Sequence, residues 1–212
     1  MARAGGNRRM KNDVWADKAK HEGYPARSVY KLEEIIAKTG GVTVGSLVLD
    51  LGAAPGSWTL FLVKKFQARV VACDLKPLDP QISRRKDVHF IEGDFLSDTV
   101  LQQIASFGVY DAVVSDAAPA TSGDRLVDSA RSYNLAQQSL FFAKKYLKNN
   151  GLFITKIFSG GDEQHLVNEA KPHFQSVKIM RPKAIRKESF EVYIVGQGFI
   201  HASINPSEDM MR

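Results

Sequence analysis

Ionisable side chains border several apolar runs of this 212-residue chain. Four of them combine two lysines with two carboxylates: Lys31, Asp116, Lys156 and Glu191. Charge at the end of a buried strand is costly unless the group is paired or functional. An ion pair that caps a strand would explain any one of these residues. Asp116 and Lys156 together, at the ligand edge of a parallel sheet, instead favour a catalytic site.

A glycine-containing loop, DLGAAPGSW at residues 50–58, separates a predicted strand from a predicted helix. Gly52 and Gly56 let the backbone approach a ligand, and the helix start suits an anionic group. Asp74 ends the next strand, where its carboxylate can accept hydrogen bonds from ribose hydroxyls. A dinucleotide site prefers G-x-G-x-x-G, but Ala54 and then a proline stand at the second glycine position. S-adenosylmethionine, which lacks a pyrophosphate, fits better, with Asp94 and Phe95 after the third strand placed to reach its adenine.

Short β-rich runs alternate with longer segments of helical spacing from about residue 47 onward. This alternation predicts a doubly wound α/β fold, with a mostly parallel sheet covered by helices on both faces. Residues 14–40 predict one or two helices packed on that sheet. A helix is expected over about 130–148, with Asn149-Asn150-Gly151 as its stop before the fifth strand. We expect one domain: a basic arm with helices at 1–40, the catalytic part at 41–200 and a tail at 201–212.

The composition is that of a globular protein with a cationic surplus. Hydrophobic residues make up 44% and charged residues 25%, and the formal net charge is +6. No stretch reaches the roughly 18 apolar residues of a membrane span, and the single cysteine, Cys73, fits a reducing cytoplasm. The five histidines show no metal-ligand spacing, so no metal is expected. Basic residues cluster at both ends and predict a polyanionic partner. The candidate RNA contacts are Arg8, Arg9, Lys11, Arg27, Arg186 and Lys187.

Several short segments, taken together, resemble the FtsJ/RrmJ family of S-adenosylmethionine-dependent RNA 2′-O-ribose methyltransferases. The segments are RSVYKLEEI at 27–35, the 50–58 loop, ACD at 72–74, GDF at 93–95, SDAAP at 115–119, TKIF at 155–158 and EVYIV at 191–195. The resemblance implies a Rossmann-like fold with a seven-stranded sheet, and a catalytic tetrad of Lys31, Asp116, Lys156 and Glu191. It implies cofactor contacts at Gly56, Trp58, Asp74, Asp94 and Asp116. Ser57 and the pair Ala117-Ala118 depart from the common family pattern without touching this chemistry.

The resemblance implies methyl transfer to a ribose 2′-hydroxyl of RNA, most closely a uridine of large-subunit ribosomal RNA within an assembled subunit. Lys156 is the candidate base, with Lys31 as a second cation, although the tetrad could instead mainly position the hydroxyl. A transfer RNA substrate remains an alternative, as do a small-molecule or protein methyltransferase, an oxidoreductase and a non-catalytic RNA-binding protein. We expect a cytoplasmic monomer.

Overall fold

Seven strands form a single sheet in the computed structural model, which describes residues 13–186 and 189–201. The strands are β1 (Leu47–Leu51), β2 (Arg69–Asp74), β3 (Val88–Glu92), β4 (Tyr110–Ser115), β5 (Leu147–Phe158), β6 (Phe174–Met180) and β7 (Glu191–Phe199). Their order across the sheet is β3-β2-β1-β4-β5-β7-β6, with β1 to β5 parallel and β7 antiparallel to both of its neighbours. The predicted α/β fold with a mostly parallel sheet is confirmed.

Helices cover both faces of the sheet. They are α1 (Val14–His21), α2 (Val29–Thr39), α3 (Ser57–Phe66), α4 (Pro80–Ser83), α5 (Asp98–Ser106), α6 (Arg125–Tyr146) and α7 (Glu163–Ala170). All five residues of β1 are buried, as expected of a parallel strand that is covered on both sides. One apolar cluster joins α1, α2 and α3 to one face, and a second joins α5, α6 and α7 to the other. None of the described helices is long and apolar enough to cross a membrane.

The end of α6 differs from its prediction. The helix begins at Arg125, where Asp124 accepts the backbone N–H groups of residues 126 and 127, and it ends at Tyr146. The turn at 149–151 does not stop the helix but lies inside β5, where the pairing register with β4 shifts. Asn150 adopts a positive φ of 64° there. Burial of Leu147 beside Tyr110 draws the chain into the sheet early, and a bulge then absorbs the extra residues.

The topology brings charged residues from distant parts of the chain to one sheet edge. Carboxyl ends of parallel strands share that edge, and this is where ligands bind in open α/β folds. Because β7 runs antiparallel, its first residue, Glu191, also lies there and pairs with Phe158 near the end of β5. Lys156 is two residues back along β5 and pairs with Tyr193.

Candidate active site

Two ion pairs hold the four predicted catalytic residues. Lys31 on α2 pairs through Nζ with Glu191 Oε1, and both side chains are largely buried. Lys156 Nζ lies 3.1 Å from Asp116 Oδ1 and also donates to the Asp116 carbonyl oxygen. The side chains of Lys156 and Asp116 are 7% and 18% exposed, so the pair is shielded but can still be reached from solvent.

Tyr193 joins the two pairs and was missed by the sequence analysis. Its hydroxyl donates to Asp116 Oδ1 at 2.7 Å, and Lys31 Nζ lies 6.0 Å from the centre of its ring. Its signal was present, since it stands two positions after Glu191 and therefore on the same face of β7. The four predicted residues thus form one cluster around a buried phenol.

The charges of this cluster tune one another. Burial acts to raise the pKa of Asp116, but the ammonium groups of Lys156 and Lys31 and the Tyr193 hydroxyl outweigh it and hold that pKa below its ordinary value. Burial, together with the nearby Asp116 and Glu191 carboxylates, raises the pKa of Tyr193 far above its ordinary value. Asp116 is therefore a carboxylate and Tyr193 a neutral donor at physiological pH.

A cavity of about 560 Å³ opens beside Asp116, at the carboxyl ends of β1, β2 and β4. Its volume lies in the range of small-molecule sites. Five of the predicted cofactor residues line it: Gly52, Asp74, Asp94, Phe95 and Asp116. Apolar side chains fill much of the remaining wall: Ala54, Leu75, Leu96, Ala117, Ala118, Pro119, Ala120 and Leu135.

The backbone fixes the orientation of both carboxylates on the β2–β3 side of the cavity. Asp74 Oδ2 accepts the Ala54 N–H and its Oδ1 accepts the Lys76 N–H, each at 2.9 Å. Asp94 Oδ1 accepts the Leu96 N–H at 2.9 Å. Each carboxylate oxygen retains a free lone pair, so Asp74 can also accept hydrogen bonds from two adjacent hydroxyls. An acidic acceptor beside an apolar slot fits a ribose and an adenine, and the Asp116 carboxylate fits a cation.

Gly52 allows two loops to meet at this cavity. Its φ is +71°, and a Cβ placed there would lie 2.5 Å from the Ala117 Cα and 2.7 Å from the Ala117 N. Glycine is thus needed both for the backbone conformation and for the close approach of the loop after β4. The close approach predicted for Gly52 is met by protein backbone, and the cavity wall depends on it.

Gly56 and Trp58 do not line this cavity. Gly56 precedes α3 with a φ of +110° and faces Ile82, which would lie 2.8 Å from an added Cβ. The Trp58 indole N–H donates to the Ser28 carbonyl oxygen at 2.9 Å, and its ring packs 5.8 Å from that of Tyr193. The structure therefore places Trp58 beneath the tetrad, where it ties α3 to the start of α2.

Asp50 is a second group that sequence analysis did not single out. Its side chain is completely buried, Oδ2 accepts the Thr59 hydroxyl at 2.7 Å and Oδ1 has no partner among the described residues. Burial, reinforced by the Asp116 and Asp74 charges and opposed by the hydrogen bond from Thr59, raises the pKa of Asp50 to about 7. The acidic wall of the cavity is thus backed by a carboxyl group that titrates near neutrality.

The predicted RNA-contacting residues fall into two groups. Arg27 is largely buried and bonds to Asp13, the residue that caps α1, and to the Ala184 carbonyl oxygen. Arg186 also reaches Asp13, at 3.2 Å, but its side chain stays 67% exposed. Arg8, Arg9, Lys11 and Lys187 lie outside the described residues. Arg27 therefore joins α1 to the segment between β6 and β7, whereas Arg186 still presents charge to solvent. No cluster of three potential metal ligands occurs among residues 13–186 and 189–201.

Comparison with known proteins places this geometry beside that of one family. The model of the FtsJ-like methyltransferase family matches residues 24–199. The "Ribosomal RNA large subunit methyltransferase E" of Treponema denticola is 43% identical over 195 residues, which cover 91% of this chain and 98% of the relative. The protein of the same name from Archaeoglobus fulgidus is 42% identical, over 89% of this chain and 97% of its own. A crystal structure described as a putative ribosomal RNA methyltransferase from Plasmodium falciparum superposes with a TM-score of 0.70 at 28% identity, covering 84% of this chain and all of the other.

Proposed function

Because the chain belongs to the FtsJ-like methyltransferase family, we propose that it transfers a methyl group from S-adenosylmethionine to a ribose 2′-hydroxyl of large-subunit ribosomal RNA. One observation carries the chemical part of this proposal. The pairs Lys31–Glu191 and Lys156–Asp116 surround one buried tyrosine, and Asp116 belongs both to that cluster and to the wall of the neighbouring cavity. The RNA target is supported by the names of the relatives, each matched over nearly its whole length.

The cavity residues divide the binding of the cofactor among them. Asp74 would accept the ribose hydroxyls, Asp94 and Phe95 would border the adenine, and Asp116 would face the positive charge. S-adenosylmethionine, when bound, supplies an electrophilic methyl group whose bond to sulfur breaks as the ribose oxygen attacks, with the electron pair remaining on sulfur. The substrate ribose then has to lie against the tetrad side of Asp116.

Lys156 is the residue placed to handle the hydroxyl. Asp116 holds Lys156 Nζ through both its carboxylate and its carbonyl oxygen, so that this nitrogen occupies a fixed point from which it can hydrogen-bond the 2′-oxygen. Lys31, paired with Glu191, contributes a second cation for the ribose or its phosphate. Positioning of this kind is a large part of catalysis when the electrophile is already reactive.

The hydroxyl proton has two routes. A neutral Lys156 amine accepts it directly, whereas an ammonium form only orients the oxygen and leaves the proton to pass to water late in the transfer. The pH dependence of single-turnover methyl transfer separates them. Direct acceptance predicts that the logarithm of the rate rises with pH at a slope of about one until the amine is neutral, whereas the positioning route predicts a nearly flat profile.

The proposed function is tested with the purified full chain, S-adenosylmethionine carrying a labelled methyl group, and large ribosomal subunits from cells that lack this protein. We expect label at one ribose 2′-oxygen, which resistance to alkaline cleavage maps to a nucleotide. Lys156→Ala should abolish transfer but leave cofactor affinity within about twofold, since Lys156 does not line the cavity. Labelling of transfer RNA or small metabolites instead, or wild-type transfer by Lys156→Ala, would contradict the proposal. A ribosomal substrate fits the predicted cytoplasmic site of action, and the monomeric state stays a prediction.

A further inference from the structure

A second open groove, of about 400 Å³, lies where α6 begins and β5 ends. Its lining residues are Arg125, Leu126, Ser129, Ser159, Gly160 and Gly161, none of which lines the cofactor cavity. Ser159 directly follows Phe158, the residue that pairs with Glu191 across the sheet. The groove is therefore continuous with the tetrad edge at which a substrate ribose has to lie.

An aromatic and cationic stack stands at this groove. The Arg125 guanidinium carbon lies 5.1 Å from the centre of the Phe190 ring. Phe190 in turn packs edge-to-face on Phe158, with ring centres 4.8 Å apart. Its carbonyl oxygen accepts the Ser159 N–H, which holds Phe190 to the end of β5 immediately before Glu191. Arg125 is exposed and Phe190 is half-buried, so the stack has a side that faces solvent.

The polar groups around the groove favour a base over a phosphate. Asp124 and Asp128 lie on the first turn of α6 or just before it, and Glu163 accepts the N–H groups of Gly160 and Gly161. These carboxylates oppose an anion. The Ser129 hydroxyl oxygen is buried without a partner among the described residues and lies close beneath Gly160, which leaves one neutral donor and acceptor at the floor of the groove.

We propose that Arg125 and Phe190 form a stacking platform for the nucleobase next to the methylated nucleotide. The inference rests on the proposed RNA methyl transfer. Single-stranded RNA is commonly bound by stacking of splayed bases on aromatic rings and arginine planes. A base held one residue away from Glu191 would anchor the RNA backbone beside the tetrad and present the neighbouring ribose to Lys156.

The test uses the full chain and a single-stranded RNA that spans the mapped nucleotide, with 2-aminopurine at each flanking position in turn. Stacking quenches this base, so wild type should quench it at one flanking position. Phe190→Ala should remove that quenching and raise KM for RNA about fivefold to a hundredfold. Phe190→Trp should retain both, and kcat and cofactor affinity should change less than about twofold because neither platform residue lines the cavity.

Matched variants separate stacking from charge and from folding. Arg125→Lys keeps the charge without the planar face, and should be as weak as Arg125→Ala. Arg69→Ala removes an exposed arginine at the opposite sheet edge and should leave KM unchanged. Phe190→Leu fills the same space and should lose quenching while keeping wild-type thermal stability. The platform is refuted if Phe190→Ala leaves KM and quenching unchanged, or if Arg125→Lys restores wild-type KM. Absence of methyl transfer by wild type would refute the proposed function instead.

Discussion

Tyr193 shows how a neutral side chain can set the geometry of an ion pair. Its hydroxyl donates to the same Asp116 oxygen that Lys156 approaches, and its buried ring packs against Trp58. A hydrogen bond to a charged acceptor contributes more than one between neutral groups. Tyr193 is therefore a positioning residue, which acts on the 2′-hydroxyl through Asp116 and Lys156.

We predict that Tyr193→Phe lowers kcat roughly tenfold, the equivalent of about 1.4 kcal/mol, because Asp116 loses one of the donors that fix it. Cofactor affinity should be unchanged, because Tyr193 does not line the cavity. Single-turnover methyl transfer and calorimetric cofactor binding measure the two effects. Tyr110→Phe is the control: it removes another buried hydroxyl, which donates to the Ile104 carbonyl oxygen, and should lower stability while sparing kcat. Equal kcat values for both variants would assign Tyr193 a purely structural role.

Asp50 makes the stability of the protein depend on pH. The folded chain holds its proton up to a pKa of about 7, whereas its ordinary pKa is 3.8. Between these values the folded state binds more protons than the unfolded state, so the contribution of Asp50 to the free energy of unfolding falls as pH rises. The stabilisation is complete below 3.8 and is lost as pH passes through about 7.

Asp50→Asn should therefore be nearly neutral at about pH 5 and stabilising by a few kcal/mol at about pH 8, because asparagine carries no charge to bury. Its side-chain oxygen can still accept the Thr59 hydroxyl. Denaturant unfolding of both proteins across this range measures the difference, in which the titration of other groups largely cancels. A difference that did not change with pH would show that Asp50 does not titrate in this window.

At the scale of elements, the cavity depends on how closely the loops after β1 and β4 approach. Gly52→Ala should weaken cofactor binding at least tenfold, because the new Cβ would overlap the Ala117 backbone and displace the cavity wall. Gly40→Ala introduces a side chain at a similar φ, +67°, but with no atom within 4 Å. It should cost stability without changing cofactor affinity. Equal affinities for the two variants would mean that the close approach is unimportant.

The sequence predicted elements and sheet edges better than the directions of side chains. Alternation of apolar runs sufficed for the sheet, and strand ends sufficed for Asp116, Lys156 and Glu191, because all ligand-facing ends of a parallel sheet coincide. It could not show that Trp58 faces the tetrad from below or that Arg27 is used inside the protein, since both depend on contacts with residues far along the chain. The bulge at Asn150 was missed for the same reason: a local turn signal was overridden by burial of Leu147 in the sheet.

At the scale of the whole molecule, the net charge of +6 is a question of location. Arg27 is neutralised by Asp13, so it adds little to an RNA-binding surface. The basic residues before α1 are then the clearest candidates for phosphate contacts. Arg8, Arg9 and Lys11 carry three positive charges within four positions, and each phosphate contact with single-stranded RNA adds about 0.7 to the slope of log affinity against log salt concentration.

Reversing the charge of Arg8, Arg9 and Lys11 together should weaken RNA binding and reduce that slope by about two, while cofactor affinity stays the same. The matched control reverses Lys65, Arg69 and Lys86, which are exposed and lie at or near the amino ends of β2 and β3, away from the tetrad edge. Both triple variants change the net charge equally, so a general attraction between protein and RNA would weaken both alike. Filter binding across a salt series distinguishes the two cases. A loss of slope confined to the first variant would locate the phosphate contacts in the segment that precedes α1, whereas equal losses would make the surplus a diffuse field.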